Sequence, residues 1–436
     1  MNICCMENEF NEIPETPGKR AKLELAEKGG IKNKFIKIRN YLITHWDFRF
    51  NTIMGEVEYT EKNKNQWRML DDRGSYEIAA SIVLDENIYC SKEIFRMALY
   101  SRDISPDFNP FTSYLFGLPK WDGEKDFIAD FLYKQVELKD AAEFPDFVEN
   151  FKKWFVAMVG SMVSDRTINH VCLVLTGKQS RFKTTFLNSI VPEHLRLDYL
   201  YSAKFVPANK DHEIYLATKM LINLDEFASF NRTDIESMKS VITQDRVILR
   251  RPYGRMDDRM WRHASFCGSI NKNEFLTDFT GSRRFLTLEI ENITISKEVD
   301  NYRIYSQDLA LFKSGYRFWF DQEDVKKIEE KNEKFQLVSM EEELIAKHFR
   351  VPTEDDMRYQ HTFSYMTTTD IAMYLSNLYN KINVNDTYKN RIGLAMTKLG
   401  FAKQRKRLNS GQVGRVWIMV KNEEPNKYML HETNAF

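Results

Sequence analysis

VCLVLTGKQSRFKTTFL, residues 171 to 187, carries a buried-strand pattern straight into a phosphate-loop sequence with one residue changed. The apolar run from Val171 to Leu175 reads as a strand, and Gly177 opens a turn. Lys183 and Thr184 then stand where a Walker A motif keeps its Lys-Ser/Thr pair. That pattern predicts a nucleoside triphosphate site. The chemistry calls for backbone N–H groups around the phosphates, an ammonium on the β and γ oxygens, and a hydroxyl on magnesium. The candidate ATP-binding stretch is Gly177, Lys178, Gln179, Ser180, Arg181, Phe182, Lys183, Thr184 and Thr185, with Thr184 also a candidate Mg2+ ligand. Phe182 replaces the second glycine of G-x-x-x-x-G-K-[ST]. A side chain there restricts φ and thickens the loop where backbone should lie close to phosphate. The plainer alternative is an ordinary strand, turn and helix.

The chain around this stretch has 436 residues, enough for several domains with a sizeable core. Its 43% hydrophobic and 13% aromatic content is that of a globular protein. Sixty-three basic residues cancel 63 acidic ones, so bulk charge gives no nucleic-acid footprint and any basic surface must be local. Cys4, Cys5, Cys90, Cys172 and Cys267 are scattered, without a C-x-x-C pair, which suggests reduced thiols. No apolar stretch approaches the roughly 18 to 20 residues needed to cross a bilayer. Glu7, Glu9 and Glu12 stand where a signal peptide would be basic, so the expected location is the cytoplasm.

Residues 1–30 read as a disordered leader and 31–119 as a mixed α+β region. There Phe48 to Tyr59 alternates like a strand, and SKEIFRMALYSRD reads as a helix capped by Ser91. Residues 120–164 read as a helical connector, with Phe127, Phe131, Phe147, Phe151, Phe155 and Met158 at helical spacing. Strand and helix signals alternate over 165–292, which favours a parallel three-layer α/β core with strands at 171–176, 219–225, 246–250, 264–270 and 284–290. Residues 293–363 look helical. From 364 to 436, two helices and a basic hairpin suggest a small winged-helix-like module, with Thr369 or Asp370 and Asp386 near the helix starts.

Downstream of the loop, KMLINLDEF (219–227) sets Asp225 and Glu226 after an apolar strand, the Walker B arrangement. Asp225 can hold magnesium and Glu226 can polarise the attacking water. An acidic pair beginning a helix is the simpler alternative. HASFCGSIN (263–271) is another strand, ending at Asn271, whose carboxamide can reach a γ-phosphate. FTGSRRFLTLEI then offers Arg283 and Arg284 before a strand, where a guanidinium could act on phosphate in the same or a neighbouring subunit. Between these, QDRVILRRPYGRMDDRMWR interleaves Arg246, Arg250, Arg251, Arg255, Arg259 and Arg262 with Tyr253 and Trp261. Arginine with aromatics suits phosphate backbones and stacked bases, and equally suits the subunit interface of a ring. The candidate nucleic-acid contacts are Arg250, Arg251, Tyr253 and Arg255 there, with Lys403, Arg405, Lys406 and Arg407 of the C-terminal hairpin.

In the order NPFTSYLFGLPKWDG, GKQSRFKTTF, LINLDEF, RRPYGR, the strand ending at Asn271 and FLTDFTGSRRF, the chain resembles the virulence-associated protein E family of phage and mobile elements. The resemblance covers roughly residues 105 to 292, and the tail from about 364 looks like the extra C-terminal domain of some members. It implies an AAA+-like, superfamily 3 helicase-type P-loop NTPase core, assembled as a hexameric ring, that uses ATP and Mg2+ in a bacterial cytoplasm. By position it implies Lys183 and Thr184 as Walker A residues, Asp225 and Glu226 as Walker B, Asn271 as a sensor-like residue, and Arg283 or Arg284 as an arginine finger. The implied partners are DNA, single-stranded or at a fork, and a separate primase, because residues 31–119 offer no primase carboxylate cluster. The expectation is therefore a helicase-like or replication-initiation ATPase of a mobile element. A non-hydrolysing nucleotide-sensing assembly protein and a P-loop small-molecule kinase are the alternatives.

Overall fold

The computed structural model describes residues 30–207, 209–224, 232–249, 257–271, 276, 282–295, 300–335, 338–359, 361–379, 381–407 and 413–422. The expected leader lies outside them except for Gly30. Two compact units are present, Met1–Asn271 with Arg284–Asp324, and Lys272–Arg283 with Val325–Phe436.

The first unit opens with α1 (Gly30–His45), β1 (Trp46–Asn51), β2 (Glu56–Glu61), β3 (Arg68–Met69), α2 (Asp72–Glu86), α3 (Lys92–Leu99) and β4 (Asp107–Phe108). Their strands form a sheet in the order β3-β2-β1-β4. The alternating run from Phe48 to Tyr59 is thus a hairpin rather than one strand. Gly55, at a φ of 73°, takes the left-handed turn that a continuous strand would not allow. Asp71 caps α2 through the Gly74 N–H, and Ser91 caps α3 through the Ile94 N–H, as its sequence suggests. Ile38, Leu42, Phe48, Val57, Ile82 and Leu99 close this layer's core.

A mixed α/β core follows. It contains α4 (Pro110–Phe116), α5 (Phe127–Gln135), β5 (Val136–Leu138), α6 (Phe144–Val163), β6 (Cys172–Thr176), α7 (Lys183–Ser189), α8 (Glu193–Tyr199), β7 (Leu200–Ala203) and α9 (Lys210–Thr218). Then come β8 (Leu221–Leu224), α10 (Arg232–Thr243), β9 (Arg246–Leu249), β10 (Asp258–Trp261), β11 (Ser265–Ile270), β12 (Phe285–Ile293) and α11 (Asn301–Lys313), and α12 (Gln322–Asn332) spans the boundary between the units after Asp324. The sheet runs β5-β12-β6-β11-β8-β7, with β5 alone antiparallel to its neighbour. Two expectations are corrected here. The strand at 246–250 is not in the parallel sheet: β9 pairs antiparallel with β10 as a separate hairpin, and β7 takes the far edge. The stretch from Asp126 to Val163 is not all helical, because β-branched Val136 starts an edge strand that pairs with β12.

Helix α6 holds the sheet from one face. The indole N–H of Trp154, fully buried, donates to the carbonyls of Val171 and Phe266 at 3.1 and 3.3 Å, on either side of the β6–β11 seam. Phe147, Phe151 and Phe155 recur every fourth residue on the same helix and are buried, each contributing roughly 1.5–3 kcal/mol of apolar burial. Gly160 lets α11 approach, since a Cβ there would lie 2.6 Å from the Phe312 ring.

The second unit contains α13 (Met340–His348), β13 (Phe349–Arg350), α14 (Glu354–Arg358), β14 (Ser364–Met366), α15 (Thr368–Leu378), α16 (Asp386–Lys398), β15 (Lys403–Arg407) and β16 (Val413–Lys421). Strand β16 pairs with β13, β14 and β15. Ile345, Ile371, Leu375, Ile392, Met396 and Trp417 form its core. The cap of α15 is Thr367, with Asp370 closing a capping box, and Asn385 rather than Asp386 caps α16. Among the described residues, no helix is long and apolar enough to cross a membrane.

Candidate phosphate site

The loop between β6 and α7 sits at the C-terminal end of a fully buried strand flanked on both sides by parallel neighbours, β11 and β12. Ligands of open α/β sheets bind at such ends. Gly177, at a φ of 142°, is required by contact as well as by conformation, because a Cβ would lie 2.4 Å from the Ile290 carbonyl oxygen. Ser180 and Phe182 also have positive φ, 62° and 54°. Phe182 therefore adopts the left-handed backbone that a glycine would favour, and its ring is 60% exposed. The expected thickening of the loop is corrected in that respect. The ring points to solvent, the Phe182 carbonyl accepts the Phe186 N–H at 2.9 Å, and the cost is taken in backbone strain.

Lys183 is 4% exposed and folds back over the loop. Its Nζ donates to the carbonyls of Gly177 and Lys178 at 2.8 and 2.7 Å and to Asn271 Oδ1 at 3.1 Å. These acceptors are neutral, and no carboxylate pairs with it among the described residues. Burial lowers its pKa, and the nearby Arg181 guanidinium lowers it further. Two candidates separated by 88 positions, Lys183 and Asn271, thus share one hydrogen bond. Thr184 Oγ1 lies 3.0 Å from Ser269 Oγ, and Arg181 reaches Asn292 Oδ1 at 3.4 Å. Lys178, Gln179 and Thr185 are exposed around the loop. Asp225 and Glu226 lie outside the described residues, so the acid half of the site has no described geometry.

The model of the virulence-associated protein E-like domain matches residues 115–337, just over half of the chain. The chain belongs to this family. No curated protein matches it. Among solved structures, this virulence-associated protein E-like chain is similar to the apo structure of the NrS-1 C-terminal region, with 12% identity, 90% of this chain and 100% of that one covered, and a TM-score of 0.47. The A form apo structure of the same region matches at 12% identity over 89% and 99% of the two chains, with a TM-score of 0.45.

The remaining candidates of this virulence-associated protein E-like chain separate by environment. Arg283, exposed, and Arg284, half-buried, share the short 3-10 turn Ser282–Arg284 before β12. Arg250, Arg251, Tyr253 and Arg255, between β9 and β10 in the sequence, lie outside the described residues. In that hairpin, the Arg246 guanidinium stacks 4.0 Å over the Trp261 ring. Arg262 leaves the cluster altogether: it is buried and donates to the carbonyls of Gln244, Ala264, Asn169 and Ile242 at 2.8 to 2.9 Å. Burial pushes its guanidinium down to about 9, against a smaller upward pull from Asp245. It is a structural staple.

In the other unit, Lys403, Arg405, Lys406 and Arg407 form β15, exposed along its whole length. Lys403 lies 4.4 Å over Trp417, and Lys406 lies 3.5 Å over Tyr365. Arg405 faces Arg415 directly across the ladder. Like charges opposite one another in a sheet are destabilising until an anion joins them. Sequence reading passed over Arg415, whose partner is set by register. It also passed over Ser269 and Asn223, which lack any motif spacing.

Proposed function

We propose that this protein is an ATP-dependent, DNA-associated ATPase of helicase-like or replication-initiation type, acting for a mobile element. The observation that carries the reading is the Lys183 ammonium, nearly buried at the head of a central parallel strand and facing only neutral oxygens among the described residues. A buried cation without a counter-charge is costly, and an anion entering beside it offsets that cost. The sheet order β12-β6-β11-β8-β7 supports an AAA+-like core, since it seats the loop-bearing strand between the strand of Asn271 and the one that follows Arg284. The residues fit magnesium ATP: Gly177 leaves room only for bare backbone, Lys183 would meet the phosphates, and Thr184 with Asp225 would hold the metal. When bound, magnesium ATP supplies the phosphoryl group and its counter-ion. Glu226 is assigned to orient water and Asn271 to hold Lys183 or the phosphate. Exposed Arg283 is the candidate to reach the site of a neighbouring subunit in a ring. The glycine-like backbone of Phe182 favours a working loop over a purely structural nucleotide site.

DNA is the proposed partner of the second unit. Its helices α15 and α16 followed by the β15–β16 hairpin support a winged-helix-like reading. The opposed Arg405 and Arg415 are a built place for backbone phosphate. The test is ATPase activity of wild type, Lys183→Ala and Glu226→Gln, each with and without single-stranded DNA. Turnover in wild type alone, raised by DNA, is expected. Equal rates in all three proteins would sink the site.

A further inference from the structure

Thr184 is held at two points. Its hydroxyl meets Ser269 Oγ at 3.0 Å, and its carbonyl accepts the Asn223 amide at 3.4 Å. Asn223, fully buried on β8, also donates to Asn188 Oδ1 at 2.8 Å, while its own Oδ1 is without a hydrogen-bond partner among the described residues. Ser269 and Asn271 are two positions apart along one line, so they face the same side, where Asn271 takes Lys183 and Ser269 takes Thr184. Strand β11 and the residue just past its end therefore hold the side chains of Thr184 and Lys183.

We propose that Ser269 is a positioning residue of this site, acting through Thr184, an inference that rests on the nucleotide reading above. A hydroxyl that gives a lone pair to magnesium must send its hydrogen elsewhere, and its rotor is otherwise free. Either hydroxyl can donate across the 3.0 Å contact, and with magnesium bound Ser269 Oγ would be the acceptor within reach. In that role it would take the Thr184 hydrogen and leave the oxygen lone pair for magnesium, as outer partners orient the direct ligands of other metal sites. Asn223, on the neighbouring strand β8, holds the Thr184 backbone carbonyl and ties the first turn of α7 to that strand.

Losing an outer partner weakens metal binding by about 10- to 100-fold. The experiment is calorimetric titration of ATP onto the full chain, first in EDTA and then at stepped Mg2+ concentrations, for wild type, Ser269→Ala, Ser269→Thr and Lys183→Ala. In Ser269→Ala, the Mg2+ concentration giving half of the metal-dependent gain in affinity rises about tenfold or more, while ATP affinity in EDTA stays within about twofold of wild type. Ser269→Thr, which keeps the hydroxyl, restores the midpoint. A Ser269→Ala midpoint equal to wild type overturns the inference and leaves the nucleotide site standing. Equal losses with and without Mg2+ overturn it too, because they mark a merely structural role. If wild type binds no ATP, or Lys183→Ala binds as wild type does, the nucleotide reading falls and takes this inference with it.

Discussion

Two lysines of the same unit are almost equally hidden, Lys153 at 3% exposure and Lys183 at 4%, yet they are finished differently. Lys153, on α6, donates to both oxygens of Asp324 at 2.9 Å, and Arg317 joins the same carboxylate at 2.7 Å. Burial alone would push Asp324 up, but the hydrogen bonds from Lys153, the Asp321 backbone and Arg317 hold it below the usual carboxylate range. Lys183 has two carbonyls and an amide instead. The fold completes its own charge in one place and leaves it open in the other. What separates the structural cation from the proposed binding cation here is the partner, since burial is the same.

The largest effect tests the finished end. Lys153→Ala leaves Asp324 with less compensation, and a loss of about 3 kcal/mol in chemical denaturation at pH 7 is expected. The sign with pH follows from the lowered Asp324 pKa. Its stabilisation is present above the unfolded carboxylate pKa and fades as pH falls through the folded one, so the gap between wild type and variant closes in acid. A gap independent of pH would place Lys153 among packing residues.

A third group sharpens the contrast from the opposite charge. Asp308, on α11, is fully buried, neither carboxyl oxygen has a hydrogen-bond partner among the described residues, and burial holds its pKa well above the ordinary value. A raised acid pKa gives stability that is present below the unfolded pKa and is lost as pH rises toward the folded one. Asp308→Asn should therefore stabilise by about 2 kcal/mol at pH 8 and by little at pH 4.5, read as melting temperature against pH. Destabilisation at both values would mean that the acid has a partner in solution.

The smallest effect concerns Phe182. Substituting Gly and Ala there removes the ring equally, but only Gly is at ease at positive φ. The Gly variant is expected to be about 1 kcal/mol more stable than the Ala variant. Equal stabilities would show that the loop relaxes out of this conformation without its ring.

The legible parts of the chain were those where pattern and packing agree. The runs at 172–176, 265–270 and 285–293 are apolar because they are covered on both faces, and each was expected within a few residues. Leu200–Ala203 was not legible, since α8 runs into it without a break and four residues carry no period. Arg246–Leu249 looked like a core strand because alternation does not reveal which partner a strand takes. Among arginines, sequence grouped Arg262 with its neighbours, although its fate is decided by four carbonyls, those of Gln244, Ile242 and Asn169 brought from distant positions. In the loop, spacing singled out Lys183 and Thr184 as candidates, but Ser269 and Asn223 meet Thr184 only through the order of the sheet.

Titration of magnesium ATP onto wild type, Lys183→Ala and Lys153→Ala, with unfolding followed in parallel, tests the contrast most directly. At a nucleotide concentration of about 100 Kd, wild type should gain about 2.7 kcal/mol of stability. Lys153→Ala should start from a lower stability and keep that gain, whereas Lys183→Ala should keep its stability and lose the gain. Equal nucleotide stabilisation of wild type and Lys183→Ala would contradict the account.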